Sequence, residues 1–558
     1  MLLPYGISFL LGIVSSLPLA QDENGLDLTI IHINDIHAHI EQGNTHSTRC
    51  RPEDAEAEEC YGGVARVYQK QMEIREQDPD ALFLNAGDFF QGTVWYTEFK
   101  YGPMIEFGNL MNFTAMGVGN HDFDDSITGF APFAEQSNYE MLASNIDNTI
   151  DDGSFEEGTH YKKSTIKMVK GRKIGIIGYI TTSTAYNFPN GTLIFTDEIE
   201  AVRGEAKMLK ENGVDIIIAL GHSGYDIDKE LAANIPELDF VVGGHSHSFL
   251  YTDTGSGLPS IERPRGEYPT YVENKETGKI IPVVQAYCYT KYLGHLQIHF
   301  DAAGDLLEPV NGKGVSFAEP ILLDASVEQN QMVLDKMKVW QANLTEYKTV
   351  VGENTIILKE EGPSEESNIG DVICQSMAAV YPNTTISFSN NGGIRSSLAV
   401  GHLTYEDVLY VLPFDNTVDF VTMKGSGIRA SLENAARDID FEDLNKYPGF
   451  GYQLSGLRVT IIVTPDNAGD RVADLQVMDV NGVFGDIQDD EVYNVALPSF
   501  LAGGGSKFQK QMRGVFDDHI LSHDVGDVMI YQALRTYIQD NTPLAQEIDG
   551  RLQVGWSK

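Results

Sequence analysis

A chain of 558 residues with 42% hydrophobic and 10% aromatic content can bury a large core but is too long for one compact unit, so two or more domains are expected. Its formal net charge of -42 argues against a nucleic-acid partner or an anionic membrane surface, both of which are gripped by clustered Lys and Arg. Four cysteines in this length exclude a disulfide-built scaffold.

Residues 1–20, MLLPYGISFLLGIVSSLPLA, form an apolar opening with small residues near its end and read as a secretory signal peptide. No later stretch is long and apolar enough to span a bilayer, so a secreted protein without a membrane anchor is expected. The sequons at Asn112, Asn190, Asn343 and Asn383 then become possible glycan sites. LDLTIIHINDIHAHI, from Leu26, is an apolar strand that ends in Asn34, Asp35, His37 and His39. Cys50 and Cys60 flank a short acidic loop and favour a local bridge, whereas Cys288 and Cys374 are read as buried thiols.

A helix from Gly62 to about Gln77 is followed by ALFLNAGDFFQG, a strand closed by glycine that presents Asp88. MGVGNHDFDD repeats the pattern and presents Asn120, His121, Asp122 and Asp124. KIGIIGYI, Lys173 to Ile180, is a buried strand without obvious ligands. Two further short β-branched runs, Val214 to Leu220 and Leu238 to Val242, end in glycine and deliver His222, His245 and His247. Residues 324–350 carry helical spacing and no strand signal, which predicts a long connecting helix. Ser367 to Val380 reads as an amphipathic helix, and mixed strands and helices run to the end.

Any one of these polar clusters is what a strand-ending turn ordinarily contains. Five apolar runs delivering Asp, Asn or His to what would be one sheet edge is a different matter. Asp35, His37, Asp88, Asn120, His222, His245 and His247 together suffice for two divalent metals, with Asp88 able to bridge them. Mixed His, Asp and Asn ligands accept Zn, Mn or Mg.

NDIHAH, NAGDFFQG, GNHDFD, ALGHSG and GGHSH stand in the order found in calcineurin-like metallophosphoesterases, and SNNGGIRSSL, VLPFDNTV and LPSFLAGGGSKF follow. The chain thus resembles the 5′-nucleotidase and apyrase family over nearly all of its length. That resemblance implies an α/β fold: an N-terminal four-layer metallophosphoesterase β-sandwich flanked by helices (26–323), a linker helix (324–350), and a C-terminal mixed α/β substrate-binding domain (351–558). It implies one metal on Asp35, His37, Asp88 and His247, and another on Asp88, Asn120, His222 and His245. His121 and Asp124 resemble the family's catalytic dyad, and the linker its hinge.

In the second half the resemblance makes Phe414 and Phe500 a clamp on the nucleobase, Arg395 a phosphate fork, and Asn390 a contact to the base or sugar edge. Two positions depart from the family pattern. Pro363 stands where a phosphate-binding arginine is common, three residues before Glu366, and Ser506 stands where a ribose-binding aspartate is usual. The expectation is a secreted hydrolase of extracellular nucleotides, apyrase-like, converting ATP and ADP to AMP and phosphate. The alternatives are a 5′-nucleotidase converting AMP to adenosine, and a secreted binding protein that keeps the fold without turnover.

Overall fold

A computed structural model describes residues 25–151, 153–186, 191–307, 314–437, 439–444, 449–503 and 516–556. The signal-peptide reading, the sequon at Asn190 and the position of Ser506 lie outside the described residues.

The first half is built on two six-stranded sheets. One runs Val315–Leu322, Tyr292–Phe300, Leu26–Ile33, Leu82–Asn85, Ala115–Gly117, Glu140–Leu142; its last four strands are parallel, and Tyr292–Phe300 is antiparallel to both of its neighbours. The other runs Thr270–Glu273, Ile280–Val284, Phe240–Val242, Ile216–His222, Arg172–Ile180, Ser164–Val169, with four parallel strands between antiparallel edges. Parallel neighbours need crossover helices, and Val64–Gln77, Gly102–Met111, Glu198–Glu211 and Tyr225–Asn234 supply them.

Strand periodicity sorts the side chains into layers. Leu26, Leu28 and Ile30 join the apolar cluster shared with the second sheet, while Ile31 and Ile33 join the cluster under helices Val64–Gln77 and Gly102–Met111. Phe83 and Met116 face those helices, and Leu82, Leu84 and Ala115 face the second sheet. The second sheet buries its other face under Val202, Ala206, Leu231 and Ala232 of two helices, completing helix, sheet, sheet and helix. Each fully buried Leu, Ile or Phe here is worth about 1.5 to 3 kcal/mol.

The polar strand ends therefore do not lie on one sheet edge, as the sequence suggested. Asp35, Asp88 and Asn120 follow strands of the first sheet, whereas His222, His245 and His247 end or follow strands of the second. Ligands from both sheets can meet because the sheets close on each other at glycines. A Cβ on Gly117 would lie 2.9 Å from the Leu220 carbonyl oxygen, and one on Gly178 would overlap the Leu142 carbonyl. Asn145 stitches the same seam, donating to the Ile180 carbonyl (2.7 Å) and accepting from its amide (2.9 Å).

The connecting helix is also shorter than expected. It covers Gln331–Gln341, because Asp324 folds the chain into a turn by accepting from Ser326 and Asn330 caps the first turn through Met332 (3.2 Å) and Val333 (3.4 Å). Val333 and Met337 join the first domain's core, and Trp340 donates to Glu106 at 2.9 Å, so the helix is docked on that domain.

In the second half a five-stranded sheet runs Tyr452–Ser455, Ile386–Asn390, Val492–Pro498, Val418–Lys424, Ile520–Asp524. A four-stranded sheet, Phe484–Asp486, Val472–Met478, Leu457–Val463 and Leu552–Trp556, packs beside it. Ser367 caps the helix Asn368–Val380 by accepting from Gly370, matching the expected amphipathic helix. Cys50 and Cys60 are bonded, and Cys288 and Cys374 are buried thiols. Among the described residues no helix is long and apolar enough to cross a membrane.

Because the seam tolerates no side chain at Gly178, Gly178→Ala should destabilise the protein by about 2 kcal/mol or more. A calorimetric scan should show Tm lower by roughly 3 °C, and an unchanged Tm would contradict the close sheet approach.

Candidate metal centre and substrate face

Five of the seven expected ligands, Asp35, His37, Asp88, His245 and His247, adopt left-handed backbone conformations, with φ between 47° and 73°. Such geometry costs an ordinary residue about 1 to 2 kcal/mol, and it turns each side chain sharply off its strand toward the seam. The loops are pinned by backbone pairing: Asp35 donates to the Gly87 carbonyl (3.0 Å) and His37 to the Asp88 carbonyl (3.0 Å). Gly87 sits at φ 92°, where a Cβ would lie 2.9 Å from His222 Nδ1, so glycine lets the Asp88 loop lie against the other sheet.

The side chains gather in two groups: Asp35 with His37 and His247, and Asp88 with His222 and His245. His247 Nε2 lies 3.1 Å from Asp35 Oδ1, and His37 Nε2 lies 3.2 Å from His247 Nε2. Asp88 Oδ2 lies 2.8 Å from His222 Nε2 and 3.5 Å from His37 Nε2, so this one oxygen stands between the groups. Asn120 Oδ1 is 2.9 Å from His245 Nδ1.

The donor chemistry suits divalent cations. His37 Nδ1 faces the Phe90 and Gln91 carbonyls (both 3.2 Å), and His222 Nδ1 faces the Ala86 carbonyl (2.7 Å), which assigns a proton to each Nδ1 and leaves Nε2 as the atom turned into the cluster. Burial and then Arg395 hold His37 well below the usual imidazole range, and burial and then His222 push His245 down to about 3. Burial would lower His222 too, but Asp88 and Asp35 outweigh it and raise it to about 10, so a proton and a cation compete for its Nε2. Buried imidazole nitrogens and carboxylate oxygens converging from both groups are what a cation satisfies.

Supporting residues that spacing alone did not reveal hold these ligands. Asp122 is fully buried and accepts from the amides of Phe89 (3.0 Å), Phe90 (3.2 Å) and Gly119 (2.9 Å), tying the Asp88 loop to the Asn120 loop. Asn34 donates to Asp35 Oδ2 and to the Tyr287 carbonyl (both 2.6 Å) and accepts from Ala286 (2.7 Å), which fixes the carboxylate's rotation. Tyr289 stacks on His39 with centroids 4.2 Å apart and lies 5.3 Å from the His247 ring. In the sequence these residues look like any other Asp, Asn or Tyr beside a turn.

His121 begins a short 3₁₀ turn, His121–Phe123, and its Nδ1 lies 2.9 Å from Asp124 Oδ2. Burial would lower the His121 pKa, but Asp124 and Asp88 outweigh it and raise it, favouring the imidazolium. Its amide donates to Asp88 Oδ1 at 2.9 Å, so the dyad and the central carboxylate share one loop.

Phe414 and Arg395 come from the second half yet meet this cluster. Phe414 stacks on His121 at 5.2 Å, and Arg395 Nη2 donates to His37 Nε2 at 3.0 Å with its guanidinium 5.6 Å from the Phe414 ring. Arg395 Nε has no hydrogen-bond partner among the described residues. Phe500 is half-buried on the short helix Ser499–Ala502, and Ser499 Oγ accepts from the Thr417 amide (3.1 Å), so the two phenylalanine loops adjoin. Asn390 ends the strand Ile386–Asn390 beside the Gly392–Gly393 turn. Pro363 supplies no charge; its carbonyl accepts from Gly451 (2.8 Å) and from Asn391 Nδ2 (3.3 Å), pinning the loop next to Asn390.

The chain matches two family models, calcineurin-like phosphoesterase over residues 28–249 and 5′-nucleotidase C-terminal domain over residues 350–513. It is 33% identical to the 5′-nucleotidase of Mus musculus, covering 98% of this chain and 93% of that protein. With the 5′-nucleotidase of Homo sapiens the identity is 34%, over 94% of this chain and 91% of that protein. The crystal structure of a 5′-nucleotidase precursor from Thermus thermophilus superposes with a TM-score of 0.83 at 29% identity, covering 95% of this chain and 99% of that one. Likeness across both halves, together with a cation-binding cluster that the second half reaches with an arginine, makes this chain a member of the 5′-nucleotidase family of metal-dependent nucleotide phosphohydrolases.

Proposed function

We propose that the protein hydrolyses nucleoside 5′-monophosphates outside the cell, releasing the nucleoside and orthophosphate. One observation carries the reading: Arg395 projects from the second half to within 3.0 Å of His37, with part of its guanidinium unpaired, so a phosphoryl group would be held beside the cation ligands. Asp35, His37, Asp88 and His247 would hold one divalent ion, and Asp88, Asn120, His222 and His245 the other. Such ions acidify water and neutralise phosphoryl oxygens.

The chain's own groups take the remaining roles. Arg395 grips the phosphoryl oxygens as a fork. His121, kept cationic by Asp124, stabilises charge on the phosphoryl group and can pass a proton to the departing 5′ oxygen as the P–O bond breaks. Phe414 and Phe500 would stack on the two faces of the base, which tolerates any nucleobase, and Asn390 would meet its edge or the sugar. The Cys50–Cys60 bridge and the exposed sequons Asn112, Asn343 and Asn383 support an oxidising, extracellular setting.

ATP and ADP hydrolysis, preferred from sequence alone, would use the same residues. It is ranked second because the full-length relatives are named 5′-nucleotidases. Phosphate release from AMP, ADP and ATP, with Zn, Mn, Mg or Ca added, should give the highest kcat/KM for AMP. Accumulation of AMP from ATP and ADP without adenosine would replace the proposal with an apyrase, and no release from any substrate would leave a binding protein.

Asp88→Ala should reduce bound metal and abolish turnover, since its oxygen stands between both ligand groups. Elemental analysis beside the assay tests this; full metal content with wild-type turnover contradicts the assignment. His121→Ala should keep its metal and lose roughly a hundredfold or more in kcat, about 3 kcal/mol. A change confined to KM would make His121 a binding residue instead.

A further inference from the structure

The disulfide-closed loop after the first strand does something its sequence does not announce. Arg49 and Arg51 flank Cys50, and both reach the second half of the chain. Arg49 makes a two-pronged contact with Asp407, Nε to Oδ1 at 3.1 Å and Nη2 to Oδ2 at 3.3 Å, with the two side chains only 21% and 8% exposed. Arg51 is 8% exposed and donates to the Val400 and His402 carbonyls. Its own backbone is anchored by the Cys50–Cys60 bridge and by donation to Asp54 at 2.9 Å.

Asp407 lies in the first turn of the helix Tyr405–Val411, where its carboxylate also accepts from the Thr404 amide and hydroxyl (both 2.7 Å). The other end of this helix governs the substrate face. The Val411 carbonyl accepts from the Arg395 amide at 2.9 Å, and Phe414 follows three residues later. Between the ends, Leu409 is buried in the first domain's apolar cluster. One rigid element of two turns thus links Arg49 to the two groups that meet His37 and His121, while Arg51 holds the strand Gly401–Thr404 that leads directly into it.

We propose that Arg49 and Arg51 are positioning residues: a latch from the Cys50–Cys60 loop that clamps the helix Tyr405–Val411, through Asp407, and the strand leading into it, through the Val400 and His402 carbonyls, and thereby sets Arg395 and Phe414 against the cation ligands. A fork contact between partly buried groups fixes direction as well as distance, and misplacement by an ångström is enough to degrade a reaction that depends on alignment. The kinetic part rests on the proposed nucleotide hydrolysis; the geometric part does not.

The test uses the full chain with spin labels on cysteines at the exposed positions Lys207 and Asp479, one in each half. Arg49→Ala, Arg51→Ala, and Asp407→Asn, which retains an oxygen to cap Thr404, should each broaden the inter-label distance distribution. Each should raise KM for AMP about tenfold at unchanged metal content, with a smaller effect on kcat. Arg49→Ala combined with Asp407→Asn should be no worse than either alone, and Arg49→Lys, which keeps charge without the fork, should fall between. If Arg49→Ala does not fold, Arg49→Lys and Asp407→Asn carry the test. Unchanged distance distributions, or additive effects in the double variant, overturn the latch and leave Leu409 packing as what holds the helix. Absence of AMP hydrolysis in the wild type overturns the function while the distance measurement still decides the latch.

Discussion

Two fully buried carboxylates, Asp35 and Asp88, face the imidazoles of His37, His222, His245 and His247 at the seam of two sheets, and the rest of the molecule is arranged to keep them there. Taken alone the cluster is unfavourable: charge is removed from water and lone pairs point at one another. Five of its residues add left-handed backbone, roughly 5 to 10 kcal/mol in sum. Divalent cations held there would reverse that balance, so local instability and affinity for metal would have the same origin.

Holding such a cluster requires a scaffold that yields nowhere nearby. Asp122 ties two ligand loops together through three amides, Asn34 locks the rotation of Asp35, and Asn145 sews the sheets at the Ile180 end. Glycines do the complementary work of leaving space. Gly117 and Gly178 let one sheet approach the other, and Gly119 leaves room for Asp88, whose amide a Cβ there would overlap. Behind them lie two large apolar clusters whose burial outweighs the strain at the seam.

The face where the second half meets the cluster has a different physical character. It is assembled from two domains, so its geometry depends on how they dock, and the helix Tyr405–Val411 joins the docking contacts to the Arg395 amide. A charged fork at its first turn, an apolar residue at its middle and the Arg395 contact at its end combine specificity of direction with energy of burial. Tyr289 completes the junction: its ring lies between His39 and His247 while its hydroxyl donates to the Arg395 carbonyl at 3.4 Å.

What could be read directly from the sequence was local. An apolar run closed by glycine or a polar residue is strand then turn wherever it occurs, so the strands ending at Ile33, Asn85 and Gly117, the helix Val64–Gln77 and the helix Asn368–Val380 were legible from spacing. The short Cys50–Cys60 pairing was legible for the same reason. Only the tertiary structure showed that the ligand loops come from two sheets, because strand periodicity states which face a residue takes and not which sheet the strand joins. It also shortened the connecting helix to Gln331–Gln341, where the turn at Asp324 and the side-chain cap at Asn330 overrode helical spacing. Asp122, Asn34, Tyr289 and Arg49 each take their roles from at least one partner distant in the chain, up to the 358 residues that separate Arg49 from Asp407. A contact of that range leaves no periodicity, and so it exists only once the chain has folded.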